Sequence, residues 1–98
     1  MNINSLLMDG KDNVVTCVAQ IEKGDSVAYR QDQEIKTLVA RDAIPFCHKI
    51  ALVDLKKGDL VYKYGEVIGE TLCDIARGQL VDHSNIYSIP RDYDSELL

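Results

Sequence analysis

The sequence predicts a small, mostly-β domain. Three observations point there. A seven-residue pattern recurs along the chain: apolar, any, basic, Gly, any, any, Val. The segments between its copies are short and rich in β-branched residues, which suit a pleated, half-buried surface. No window sustains the i, i+3, i+4, i+7 apolar stripe of an amphipathic helix. Many short strands joined by Gly turns imply a barrel or sandwich.

Each element can be justified in order. Residues 14–18 (VVTCV) read as the first clear strand, entered from Asp12-Asn13. Ile21-Glu22-Lys23-Gly24-Asp25-Ser26-Val27 is the first copy of the pattern. Its leading apolar residue closes one element against the core, its Gly takes positive φ in a tight turn, and its Val starts a strand. Residues 35–40 (IKTLVA) form another strand. A degenerate copy follows, Ile44-Pro45-Phe46-Cys47-His48-Lys49-Ile50, with Cys47 at the Gly position and Ile50 at the Val position. It leads into a strand at residues 50–53 (IALV). Leu55-Lys56-Lys57-Gly58-Asp59-Leu60-Val61 repeats the turn. The strand after it, residues 60–64, alternates, with Val61 and Lys63 on one face and Leu60, Tyr62 and Tyr64 on the other. A short helical stretch is expected at residues 70–76 (ETLCDIA), ahead of the last copy, Ile75-Ala76-Arg77-Gly78-Gln79-Leu80-Val81. The spacing between copies is irregular, so this is one turn device used several times, not a solenoid array. Residues 84–98 carry Pro90 and several acidic groups without a period, and read as a tail or linker.

Length and charge narrow the function. At 98 residues the chain is one domain, with little room for both a scaffold and a deep active site. A net charge of −5 argues against a protein that grips nucleic-acid phosphates through bulk charge. No apolar run approaches the roughly 20 residues of a membrane span. The N-terminus has neither the basic start nor the apolar core of a signal peptide. Three cysteines without CxxC spacing make neither a disulfide framework nor a zinc site, and free thiols suit a reducing cytoplasm.

Candidate chemistry centres on four residues. His48 follows a turn, where side chains are presented outward, and an imidazole can act as acid or base near neutral pH. Lys49 beside it offers fixed positive charge to an anion. Lys63 can bind a carboxylate and Tyr64 can donate through its hydroxyl. The competing reading is structural: a surface histidine that packs locally, and a strand end with one solvated and one packed side chain. Cys47 is a lowered-pKa thiol in one reading and a small apolar stand-in for a turn glycine in the other. Asp82-His83-Ser84 invites a triad, yet successive residues of an extended chain point in different directions.

Cys47-His48-Lys49-Ile50-Ala51-Leu52 resembles a Gly-His-Lys-x-Ala-Leu motif. Asp54-Leu55, Gly58, Val61, Lys63-Tyr64-Gly65 and Ile68-Gly69 continue it in register, Asp74-Ile75 and Gly78 close it, and Asp12-Asn13-Val14 matches a motif nearer the start. Together they resemble the N-terminal SAF domain of the altronate/galactarate dehydratase family, a β-clip fold. The match spans residues 3–85 and is densest from 44 to 78. The resemblance implies a domain over residues 1–85 and a tail at 86–98 leading toward a large catalytic domain or subunit. It implies a hydro-lyase that removes water from an aldonic or aldaric acid to give a 2-keto-3-deoxy acid, with this chain inactive alone. It implies a divalent metal, often iron, held mainly by the large part, and none in this chain. His48 would be catalytic, and Lys49, Lys63 and Tyr64 would contact substrate. Two other readings stand beside this one: a small subunit of a sulfolactate sulfo-lyase, and a stand-alone carbohydrate- or acid-binding module. Self-association stays open. The chain departs from the family pattern at Cys47, at Asp9 where many members have His, and at Asp82-His83-Ser84-Asn85, which weakens a metal-ligand role for His83.

Overall fold

The computed structural model describes residues 2–89. They form nine strands: β1 (Ser5–Leu6), β2 (Val14–Cys17), β3 (Ser26–Gln31), β4 (Glu34–Val39), β5 (Lys49–Ala51), β6 (Leu60–Lys63), β7 (Glu66–Thr71), β8 (Leu80–Val81) and β9 (Ile86–Ser88). All pairings are antiparallel. The sheets are β1-β2-β5-β8, β3-β4 and β6-β7-β9. The mostly-β expectation is met, and no helix occurs among the described residues. None is therefore long and apolar enough to cross a membrane.

The repeats turn out to organise the core. Their first and last apolar positions, Ile21, Val27, Ile44, Ile50, Leu55, Val61, Ile75 and Val81, are all at most 4% exposed. The copies pair: Ile21 bridges Ile44, and Leu55 bridges Ile75. Each pair supplies one core. Ile21, Val27, Ile44 and Ile50 join Val15 and Cys17 in the first, and Leu55, Val61, Ile75 and Val81 join Val14 and Ala51 in the second. β2 and β5 lie between them and serve both, because successive side chains along a strand point to opposite faces.

The turn itself is conserved in geometry across the four copies. A backbone bond closes each: Asp25 N to Glu22 O, His48 N to Pro45 O, Asp59 N to Lys56 O and Gln79 N to Ala76 O. The third residue of the turn has positive φ, as in a type II turn: Gly24 (93°), Cys47 (69°), Gly58 (90°) and Gly78 (93°). Cys47 therefore keeps the glycine conformation; the substitution has not adjusted the turn. A non-glycine residue held there costs about 1–3 kcal/mol. Glycine would lose somewhat more entropy on folding, about 0.4–1 kcal/mol. Cys47→Gly is expected to raise Tm by a few degrees in thermal unfolding; a lower Tm would mean the thiol makes a stabilising contact that outweighs the strain.

Three local readings need correction. The expected helix at residues 70–76 is the end of β7 followed by a bend. Long-range partners fix it: the buried Thr71 donates its hydroxyl to Lys56 O at 2.6 Å, Leu72 N donates to Asn85 O, and Ile75 is tied to Leu55. These bonds override a helical propensity that is weak over seven residues. Second, the domain does not stop at 85. Residues 86–88, assigned to the tail, form β9, because Ile86 is apolar enough to close the second core and Tyr87 pairs with Glu70. Residues 90–98 of that tail lie outside the described residues. Third, the simple alternation along residues 60–64 breaks at a register shift between Val61 and Tyr62, so Lys63 pairs with Glu66 and Tyr64 opens a two-residue turn.

Candidate functional site

β5 begins at Lys49 and lies between β2 and β8, with Lys49 opposite Thr16 on one side and Val81 on the other. His48 sits just before it, at the last position of the degenerate turn. Comparison with the other copies explains why a histidine is free to stand here. In the other three, the side chain at this position caps the turn: Asp25 accepts from Glu22 N, Asp59 from Lys56 N and Gln79 from Ala76 N. In the degenerate copy the matching donor would belong to Pro45, which has no N–H. The slot has no capping duty, so an exposed imidazole costs the fold nothing there. His48 Nδ1 lies 3.1 Å from Phe46 O. When Nδ1 carries the proton it donates to that carbonyl, and Nε2 is left with a lone pair that can take a proton.

Lys63 ends β6, at the β6–β7 hairpin, opposite Glu66. Its Nζ lies 5.0 Å from the centre of the Tyr64 ring, a cation–π contact. The half-buried Lys49 ammonium titrates below its usual range, first because of burial, then because of Lys63, with Asp82 opposing. Asp82 is held below the usual carboxylate range mainly by the side-chain and backbone hydrogen bonds of Ser84; the charges of His83 and His48 add to this and burial opposes it. Lys49 thus feels the charges of Lys63 and Asp82, Asp82 feels that of His48, and Tyr64 stands beside Lys63. Of the four residues singled out from the sequence, Lys63 and Tyr64 are in contact, and charge links Lys49 to Lys63; Asp82, which was not foreseen, is the counter-charge. The triad geometry is absent: Ser84 Oγ donates to Asp82 Oδ1 at 2.5 Å, so its proton is not shared with His83.

The hairpin tip is strained and held. Tyr64 and Gly65 both have positive φ (59° and 73°), the geometry of a type I′ turn. Tyrosine is a poor choice for the first position, at a cost of about 1–3 kcal/mol. Asp12, buried, accepts from Tyr64 N (3.0 Å) and Gly65 N (2.8 Å). Bonds to a charged acceptor contribute about 1.5–3 kcal/mol each, enough to offset the strain. Asn13 grips the strand behind the tip, donating to Leu60 O and accepting from Tyr62 N, both at 2.9 Å. The sequence showed Asp12-Asn13 only as a matched motif. Its structural reason, a 50-residue-distant hairpin, leaves no local pattern.

His48 and Tyr64 are exposed, whereas Lys49 and Lys63 are half-buried. Three concavities, of about 530, 370 and 360 Å³, are lined by other residues. No group of three or more His, Cys, Asp or Glu side chains among those residues is placed to hold a metal ion. The lysine ammoniums here suit anions. Cys17, whose thiol is pushed up to about 11 by burial, belongs to the core.

Lys49 pays for its place in stability. Its lowered pKa means the native state holds that proton less tightly than the unfolded chain. Stability therefore rises with pH between the lowered value and the ordinary 10.5, and at neutral pH the charged form is a burden. Lys49→Met is expected to leave Tm unchanged or raise it by a few degrees. A fall in Tm would show that the ammonium makes a net stabilising contact.

The chain is similar to known proteins in a consistent way. Residues 3–89 match the family model of the altronate/galactarate dehydratase SAF domain. An altronate dehydratase of Escherichia coli is 36% identical over 83 residues, covering 85% of this chain and 16% of the relative. One of Bacillus subtilis is 36% identical over 76 residues, covering 76% and 14%. The (2R)-sulfolactate sulfo-lyase subunit alpha of Chromohalobacter salexigens is 33% identical over 90 residues, covering 88% and 95%. The chain thus spans about a sixth of the length of the altronate dehydratases and nearly the whole of the sulfo-lyase subunit. By that match over almost all its described residues, the chain belongs to the altronate/galactarate dehydratase SAF-domain family.

Proposed function

We propose that this domain supplies the carboxylate-contacting face of a sugar-acid hydro-lyase, completed by a larger catalytic part. The observation that supports the reading is that, in an acidic domain, the half-buried Lys49 and Lys63 act on one another's charge beside Tyr64, with His48 exposed just before Lys49. The reaction removes the proton α to a carboxylate and expels the β-hydroxyl as water; the enol left behind becomes the 2-keto-3-deoxy acid. Its difficult moment is the enediolate, where negative charge builds on the carboxylate. Lys49 and Lys63 stabilise that charge, Tyr64 donates to a substrate oxygen, and His48 exchanges the proton through Nε2. Exposed His48 and Tyr64 suit a site that closes against another surface. In this reading the divalent metal implied by the family resemblance is held mainly by the larger part. The setting is cytoplasmic.

Assay of the complete enzyme with altronate and galactarate tests this, with formation of a 2-keto-3-deoxy acid as the expected result. Substrate affinity should weaken as pH rises through the lowered Lys49 pKa, below 10.5, because only the protonated ammonium attracts the carboxylate. Failure to turn over any sugar acid would overturn the reading. The near-complete coverage of the sulfo-lyase subunit favours a second one, in which the chain is the small subunit of a sulfo-lyase. Release of sulfite from sulfolactate, with no dehydration of sugar acids, would select it.

A further inference from the structure

We propose that Asp12 is a positioning residue for the basic groups: by holding the Tyr64–Gly65 tip in its left-handed conformation it sets the positions of Lys63 and Tyr64. The inference deepens the reading above but rests on geometry within this chain. Asp12 reaches the tip with both carboxylate oxygens, Oδ2 to Tyr64 N and Oδ1 to Gly65 N. Its own place is fixed by Asp9, whose N donates to Asp12 Oδ2 at 3.1 Å and whose carbonyl accepts from Asp12 N at 3.0 Å. A side chain on Gly65 would meet Asp9 Oδ2 at 2.9 Å, so the Asp9–Asp12 loop is packed directly against the tip. β2 follows at Val14, paired with Ala51 of β5. One short segment therefore links the strand led by Lys49 to the turn that follows Lys63. Tyr64 has no small or amide side chain to favour positive φ, so its conformation depends on this clamp rather than on its own chemistry.

The clamp predicts a signature that a merely structural carboxylate would not give. Without it the tip relaxes, Lys63 is no longer held in position, and Lys49 loses one of the causes of its depressed titration. Burial and Asp82, the other groups acting on Lys49, stay in place. The experiment is NMR on the chain itself, comparing Asp12→Ala and Asp12→Asn with the parent. In Asp12→Ala, exchange of the Tyr64 and Gly65 amides should rise by about 10-fold or more, as expected for losing charge-assisted bonds. The Val15 and Ile50 amides should keep their protection, and the Lys49 side chain should titrate at higher pH than in the parent. Asp12→Asn keeps one acceptor oxygen and should fall between the two, which preserves the test if the alanine variant does not fold. Unchanged exchange at Tyr64 and Gly65, or faster exchange with an unmoved Lys49 titration, overturns the proposal. Neither outcome depends on sugar-acid turnover, so failure here is distinct from failure of the proposed activity.

Discussion

Replacing His48 with alanine in the complete enzyme is expected to lower kcat by about 10²-fold or more, the usual worth of a positioned acid or base. The fold should not notice. His48 is exposed, and its side chain hydrogen-bonds with the Phe46 carbonyl two residues before it. Its slot in the turn needs no cap, because Pro45 offers no N–H. This separates the chemical role from the structural one more sharply than a single alanine can. The double variant Pro45→Ala, His48→Asp rebuilds the turn in the form of its three siblings, where an Asp or Gln accepts from the residue three before it. That variant should match or exceed the parent in Tm, since the restored capping bond is worth about 0.5–1.5 kcal/mol. It should be as inactive as His48→Ala. Unchanged kcat and KM in either variant would return His48 to the surface residue of the competing reading.

The internal comparison also shows why so much was legible in the sequence. The repeat was visible because its physics is local: a turn needs its glycine at a fixed offset, and each end of the motif needs an apolar residue. All eight such positions lie in the cores. What the sequence could not show was which copies pair. Ile21 meets Ile44, and Leu55 meets Ile75, across gaps that leave no periodic trace. The same limit applies to β9, whose single buried residue, Ile86, looks like any isolated apolar side chain in a polar run. The helix expected at residues 70–76 failed for a related reason, since Thr71 is bound by its partners at Lys56 and Asp59 rather than by its neighbours. At the site, residue types identified His48, Lys49, Lys63 and Tyr64 as candidates. What residue types could not show is that the hairpin carrying Lys63 and Tyr64 is held by a carboxylate far back along the chain, at Asp12. The role of Asp82 was hidden because His83 and Ser84 suggested a triad, whereas the hydroxyl of Ser84 is spent on Asp82 itself.

Gly78→Ala is expected to be the most damaging of the turn substitutions, and Gly24→Ala is its control. Both glycines have φ of +93° and occupy the same place in the repeated turn. Conformational strain is therefore common to both, at about 1–2 kcal/mol. Their surroundings differ. A Cβ at Gly24 would meet nothing within 4 Å, whereas one at Gly78 would lie 2.6 Å from Val39 O and 3.0 Å from Arg41 Cγ. The arginine stem can move, but the carbonyl is backbone at the end of β4. The region is also pinned: Arg41 N donates to Gly78 O, and Gly78 N to Ala51 O, both at 2.8 Å. Relief of the clash must therefore strain one of these bonds or shift β4. A total cost of roughly 3 kcal/mol or more follows, a large share of the 5–15 kcal/mol that keeps a typical domain folded. In thermal unfolding that corresponds to a drop of about 10 °C or more, against roughly half that or less for Gly24→Ala. Equal losses in the two variants would mean that the left-handed conformation alone decides the cost. The larger loss at Gly78 has a consequence for the site as well. Gly78 leads into β8, which pairs with β5 through Lys49 and Val81. A partly folded Gly78 variant should therefore lose the depressed titration of Lys49 before it loses the first core, whereas Gly24→Ala should leave that titration in place.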